Sequence, residues 1–310
     1  MTLVQASAAP RAPSRPGPGP LPEALLRALD ITVHRRIQGL LEGDHRAATI
    51  GRGTELAQVR PYEPGDDVRQ LEWNVTARTG EPHVRVHVAE RVLSTWLLLD
   101  TSASMTFGTA DRRKWDVAEG VALAVGHIAS RRGNRLGLVT FGDRDPQLLP
   151  PRQGRAGLLG VLTALRRDLS DEQAGPTRLG VVLSRTARIA RQRSLVFVVS
   201  DFRGPRDWRR PLLELAGRHE LVAVEIRDRR EQELPDVGEL WLVDPETGRQ
   251  LRVDTRSRTI RRRFADEAAA ERDSLGRELA SAGARHVVLS TEGDWLRPLA
   301  RFLTQERRRR

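Results

Sequence analysis

Apolar positions along the chain follow helical spacing first, then strict alternation, and from about residue 92 they fuse into continuous runs. From Pro22, the segment EALLRALDITVHRRIQGLLE sets Leu25, Leu29, Val33, Ile37 and Leu40 three or four residues apart, which predicts a helix with one buried face. Pro22 suits a first helical position and Gly43 a stop. A loop-rich stretch with Gly51, Gly53, Pro61, Pro64 and Gly65 follows. In PHVRVHVAE, Val84, Val86 and Val88 then alternate with His83, Arg85 and His87, the pattern of a half-buried strand. Beyond residue 92 the runs STWLLLD (Ser94–Asp100), RLGLVTF (Arg135–Phe141) and LVFVVSD (Leu195–Asp201) are apolar throughout, as in a parallel sheet covered on both faces. Helices are predicted over Lys114–Arg131, Arg155–Asp168, Arg178–Gln192, Trp208–Gly217 and Arg258–Ser281, with a short one running to Glu306. Further strands are predicted at Glu220–Ile226 and Arg285–Ser290. The Pro-bounded Pro146–Pro150 reads as an edge strand, and LWLVDPETGRQLRVD as a hairpin turning at Pro245–Gly248. This alternation predicts an α/β fold, a doubly wound and mostly parallel sheet, with an N-terminal helix and a small β-rich accessory module. The expected division is a disordered Pro-rich leader over 1–20, a helix plus loop and strand module over 21–91, the α/β domain over 92–306 and a basic tail over 307–310.

Composition removes several chemistries. The absence of cysteine excludes thiol nucleophiles, disulfides and Cys-based zinc or iron–sulfur sites. Lys114 is the only lysine. It stands between Arg113 and Trp115 rather than in the Gly-Lys-Ser/Thr of a phosphate-binding loop, so a Walker-type nucleotide hydrolase is excluded. No apolar run approaches the roughly 18 residues of a membrane span, and the N-terminus lacks the apolar core of a secretory signal, so the expected location is the cytoplasm. The net charge of +11 would attract nucleic acid or an acidic partner. The arginines are dispersed, however, and aromatics are only 4%, too few for stacking platforms, so nucleic-acid binding is kept as an alternative only.

The candidate chemistry lies where two buried runs end in an acid, Asp100 and Asp201. Such residues sit at the carboxyl edge of a parallel sheet, where ligands bind at the point of strand-order reversal. Asp100 opens D-x-S-x-S, so Ser102 and Ser104 leave the strand two residues apart and can face one point. Thr177 precedes a predicted helix within GPTRLG. Two carboxylates and three hydroxyls form a hard oxygen set suited to Mg²⁺ or Mn²⁺, with a position left for a partner's Asp or Glu. Other features have plain structural readings. Asp66, Asp67 and Arg69 read as turn chemistry with a local ion pair in preference to a docking loop, and Trp73 as core in preference to a binding anchor. His83 and His87 share a strand face without a third zinc ligand. Arg203, Arg206, Arg209 and Arg210 read either as a rim steering an acidic partner or as a solvated helix start.

Together, Asp100, Ser102, Ser104, Thr177 within G-x-T-x-L-G, and Asp201 resemble the metal-ion-dependent adhesion site of von Willebrand factor A domains. The resemblance implies hydroxyls binding the cation directly, or nearly so, and carboxylates acting largely through water. Upstream, Arg60-Pro61-Tyr62, Pro64-Gly65-Asp66-Asp67-Val68-Arg69, Trp73 and Ala77-Arg78 resemble a bacterial family known as domain of unknown function 58, across roughly residues 25 to 300. Leu56 and Leu71-Glu72 depart from its usual pattern without touching the metal motif. That resemblance implies partnership with a MoxR-type AAA ATPase in chaperone-like assembly, and a binding role rather than an enzymatic one. The catalytic alternative is a metal-dependent phosphatase or hydrolase with Asp100 as nucleophile; position 102, where such enzymes carry a second Asp, is a serine here.

Overall fold

The computed structural model describes residues 5–6, 13–24, 26–27, 55–88, 94–131, 134–142, 146–168, 178–244 and 247–305. In chain order the strands are β1 (Gln5–Ala6), β2 (Glu55–Pro61), β3 (His83–Val88), β4 (Ser94–Asp100), β5 (Arg135–Phe141), β6 (Leu148–Gln153), β7 (Ser194–Ser200), β8 (Glu220–Arg227), β9 (Glu239–Val243), β10 (Gln250–Asp254) and β11 (Arg285–Ser290). The helices are α1 (Trp73–Thr79), α2 (Lys114–Arg131), α3 (Gly154–Asp168), α4 (Leu179–Ile189), α5 (Arg209–Ala216), α6 (Arg258–Ser281) and α7 (Leu296–Gln305). Two compact units result, one of Met1–His34 with Leu93–Arg310 and one of Arg35–Val92.

The larger unit is built on a six-stranded sheet in the order β11-β8-β7-β4-β5-β6. Every pairing is parallel except that of β5 with the edge strand β6. This is the doubly wound, mostly parallel α/β architecture expected from the alternating runs. Pro150 and Pro151 sit in β6, where a missing N–H is tolerated because the strand lies at the sheet's edge. The chain winds from β4 outward through β5 to β6, then crosses back to β7 on the other side of β4. The order therefore reverses between β4 and β7, and their carboxyl ends form the switch point. All seven residues of β7 and six of β4 are buried, which explains why both read as unbroken apolar runs. Trp96 and Leu98 of β4 join Val196 and Val198 of β7 in one core. Val182 and Leu183 of α4, Leu212 and Leu215 of α5, and Leu275 and Leu279 of α6 complete it. On α2, Val117, Ala118, Val121 and Ala122 are buried, and the helix packs against β4, β5 and β8. The predicted hairpin is present as β9–β10, with Gln250 opposite Val243, and β1 adds a third antiparallel strand.

Residues 13–20 differ from the expected disordered leader, because they lie against the larger unit. The Ser14 hydroxyl donates to Asp111 (2.9 Å), Arg15 N–H to the Asp111 carbonyl (2.8 Å), and Trp295 Nε1 to the Pro18 carbonyl (2.9 Å). The fixed φ of Pro13, Pro16, Pro18 and Pro20 lowers the entropy lost on docking, against the larger loss at Gly17 and Gly19. Most of the predicted N-terminal helix (Leu25, Leu29, Val33, Ile37 and Leu40), Thr177 and the basic tail 307–310 lie outside the described residues.

The smaller unit pairs β2 with β3 antiparallel, with an irregularity between Leu56 and Gln58. Asp67 caps the turn by accepting from Arg69 N–H (3.0 Å), the turn chemistry expected of it, while the ion pair is made by Arg60 of β2, which grips Asp66 through both guanidinium nitrogens (2.7 and 2.8 Å). Trp73 corrects the sequence reading. It is not core but 69% exposed at the start of α1, close in sequence to Val68, which is also exposed. The short helix it opens is capped by Glu72 and has no buried residue, so no side of it offers Trp73 a core to enter. Among the described residues no helix is long and apolar enough to cross a membrane.

Candidate metal centre

The site is assembled where β4 and β7 end. Asp100, the last residue of β4, is buried, and both its oxygens are held from the protein side: Oδ1 accepts the Ser102 N–H (2.9 Å) and Oδ2 the Ser200 hydroxyl (2.5 Å). The first of these bonds bends the chain off the strand, and a 3-10 turn over Ala103–Thr106 follows, anchored by buried Met105. Ser102 takes the cap position of that turn without using its hydroxyl as the cap, leaving Oγ to face Ser104 Oγ at 3.1 Å. Both serines are buried.

Asp201 follows β7 directly. Its Oδ1 accepts the Arg203 N–H (3.1 Å) and its Oδ2 the Lys114 ammonium (2.5 Å). The turn beyond it is strained: Phe202 has φ of 54°, a left-handed conformation costing about 1 kcal/mol or more for a bulky residue. That conformation is held by its N–H bond to Ser200 Oγ (2.8 Å) and by the edge-on packing of its ring on Trp208 (5.9 Å between centroids). Ser200 thus bonds Asp100 on one side and positions the loop of Asp201 on the other.

The structure therefore brings four of the five predicted ligands, Asp100, Ser102, Ser104 and Asp201, to one edge; the fifth, Thr177, is outside the described residues. The helix that follows it, α4, has its first turn fixed by Gly180 N–H donating to Asp207 (3.3 Å). Among the described residues no three His, Asp or Glu side chains gather as a metal cage, so a cation at this edge depends on the serine hydroxyls. Hard oxygen donors in that proportion, with each carboxylate already anchored from behind, are a chemical fit for a small hydrated divalent cation.

Electrostatics separate the two acids. Burial, and then the nearby negative charge of Asp201, push the Asp100 carboxyl up to about 7. Burial acts the same way on Asp201, but the Lys114 ammonium outweighs it and holds that carboxyl below the ordinary range. Lys114 itself is fully enclosed. Burial would lower its pKa, yet Asp201 and Glu231 (2.7 Å) hold it above the usual lysine value. Lys114, Glu231 and Ser200 were not singled out as site residues from sequence. The available signal was the solitary lysine in a chain of arginines. Of the four arginines after Asp201, Arg203 alone reaches the site, 3.9 Å from Glu231. Arg206 and Arg209 pair with Glu278 of α6, and Arg210 pairs with Glu214.

Close packing behind the motif gives a first test. A Cβ on Gly142, just past β5, would sit 2.8 Å from Ser102 N and 3.0 Å from the Thr101 carbonyl carbon, both rigid backbone atoms. Gly142→Ala is expected to displace the serine turn and to cost about 1–3 kcal/mol in urea denaturation. An unchanged midpoint would show that the turn yields freely.

The strand order with its antiparallel edge strand is that of a doubly wound, mostly parallel α/β domain. The chain belongs to the family described as protein of unknown function DUF58, whose match spans residues 58–274. It is 40% identical over 287 residues to uncharacterized protein Rv1480 of Mycobacterium tuberculosis, covering 92% of this chain and 90% of that one, and equally so to uncharacterized protein Mb1516 of Mycobacterium bovis. Among solved structures it is similar to the conserved hypothetical protein BatB from Bacteroides thetaiotaomicron (13% identity, TM-score 0.46, 69% of this chain and 98% of that chain). It is also similar to the SpRpn10 VWA domain (17% identity, TM-score 0.36, 69% and 95%).

Proposed function

We propose that the carboxyl edge is a divalent-metal docking site through which the protein binds a protein partner, and that the chain is a binding module rather than an enzyme. The observation carrying this reading is the convergence of Asp100, Ser102, Ser104 and Asp201 at the switch point, with two hydroxyls 3.1 Å apart and facing each other. Ser102 and Ser104, with Thr177, would hold Mg²⁺ or Mn²⁺ most directly, and Asp100 and Asp201 would balance its charge. The cation would supply a positive centre for a carboxylate from the partner. Asp100 and Asp201 have their oxygens engaged by backbone and side-chain donors, which suits a fixed cradle better than a nucleophile. The family resemblance makes a MoxR-type AAA ATPase the partner proposed, acting in the cytoplasm.

Calorimetry with Mg²⁺ or Mn²⁺ should give a saturable heat for the wild type and none for Asp201→Ala. A purified MoxR-type ATPase should be retained by the Mg²⁺-loaded protein and released by EDTA. No heat with either cation would remove the metal reading. Retention indifferent to EDTA would remove the docking role while leaving the site.

A further inference from the structure

Lys114 is the only lysine among 52 basic side chains, and among the described residues it is the basic group placed with its charge inside the carboxyl edge. Its side chain is 0% exposed. Its ammonium lies between Asp201 Oδ2 and Glu231 Oε1, 5.8 Å from the centre of the Phe107 ring, and its backbone N–H bonds the Phe107 carbonyl (2.9 Å). Glu231 is fixed in turn, since its Oε2 accepts the Asp228 N–H (3.2 Å) in a capping box around the Arg229–Glu231 turn. The lysine thus joins the first turn of α2, the end of β7 and the turn after β8. A guanidinium is a broad planar fork and an ammonium is a compact point charge, so the two are not interchangeable at this enclosed position between two carboxylate oxygens. A salt bridge with no solvent access is weak evidence of a stabilising role, because apolar residues of similar volume often serve as well. Its place on a candidate metal ligand gives it another.

We infer that Lys114 is a fixed counter-cation of the metal site, which withholds Oδ2 of Asp201 from the bound cation and so keeps that cation weakly held and available to an acidic ligand. The inference rests on the metal reading above. With Oδ2 committed to the ammonium, Asp201 can meet a cation directly only through Oδ1, which already accepts a backbone N–H. The two ligand carboxylates cancel a divalent charge, Lys114 cancels Glu231, and Arg203 beside Glu231 leaves the loaded edge net positive. Such an edge favours a carboxylate-bearing partner over a neutral one.

Two variants move the cation affinity in opposite directions. Glu231→Gln removes the lysine's second partner and one negative charge, so the ammonium bears on Asp201 alone. Mn²⁺ should bind about tenfold more weakly in calorimetry. Lys114→Met combined with Glu231→Gln removes equal and opposite charges and releases Oδ2, leaving the buried Asp201 carboxylate without its ammonium until a cation takes that place. Mn²⁺ should then bind about tenfold more tightly. The relaxation of water protons by bound Mn²⁺ should also fall, as a carboxylate oxygen replaces a bound water. Circular dichroism establishes that each variant is folded, and Glu231→Gln, a near-isosteric change, carries the test alone if the double variant does not fold. If the wild type binds Mn²⁺ and neither variant alters its affinity, the lysine is a structural strut and the inference is overturned while the metal site stands. If none of the three proteins binds, both readings fall. Binding by the double variant alone would uphold the role of the lysine and remove the metal from the wild-type protein.

Discussion

Asp228→Ala lowers the unfolding free energy by about 3–5 kcal/mol, the largest single-residue stability loss expected outside the apolar core. Asp228 follows β8, is fully buried, and accepts four hydrogen bonds: from Thr109 N–H (2.8 Å), the Thr109 hydroxyl (2.6 Å), the Thr291 hydroxyl (2.7 Å) and Arg230 N–H (2.9 Å). These donors come from three places in the chain: the loop that continues from the D-x-S-x-S turn, the turn after β8, and the residue that follows β11. Alanine leaves them without an acceptor in a space closed to water, so the penalty is the desolvation of several donors rather than the worth of one bond. Asp228→Asn keeps one acceptor oxygen and sets an amide donor against the others, so it should lose about half as much. Urea denaturation monitored by tryptophan fluorescence measures both. A loss under about 1 kcal/mol for alanine would mean that water reaches the donors and that this network does not brace the metal-site loop.

The parts of this fold that were readable in sequence are those dictated by local periodicity. STWLLLD and LVFVVSD announce buried parallel strands because both faces are covered, and the acid that ends each run marks the carboxyl edge of the sheet, which is why Asp100 and Asp201 could be located although both are buried. The D-P-E-T-G turn likewise predicts β9–β10 from backbone chemistry. What was not readable is tertiary. Lys114 and Glu231 meet across 117 residues, and no spacing rule links the first turn of a helix to a turn so far along the chain. The exposure of Trp73 depends on which side of α1 finds a neighbour, which its aromatic character does not decide. Pro18 and Ser14 dock because Trp295 and Asp111 offer a donor and an acceptor at the right places, while their own composition points to disorder.

Asp100→Asn is expected to abolish divalent-cation binding, with a loss of at least about a hundredfold, while making the metal-free protein more stable at pH 8. The two effects have one origin. Asp100 is buried beside the negative charge of Asp201, and its carboxyl is pushed up to about 7 from an ordinary 3.8. Between those values the folded protein binds more protons than the unfolded chain, so the contribution of this group to stability is complete below about 4 and is lost as pH rises through about 7. At pH 8 the metal-free protein therefore carries an ionised carboxylate that folding disfavours, by on the order of 1–4 kcal/mol. A neutral amide of the same shape has no such term, and its oxygen can still accept the Ser102 N–H. A cation needs the ionised carboxylate, so wild-type affinity should fall by up to about tenfold per pH unit below about 7, whereas at pH 8 binding recovers the stability that ionisation removes. Thermal denaturation at pH 6 and pH 8, in EDTA and in excess Mg²⁺, separates these terms. The wild type in EDTA should melt lower at pH 8 than at pH 6, relative to the asparagine variant under the same conditions. Mg²⁺ should close that gap at pH 8 for the wild type alone. If the wild type and Asp100→Asn respond identically to pH in EDTA, Asp100 ionises at no cost. The two carboxylates are then too far apart, or too well hydrated, to require a cation between them.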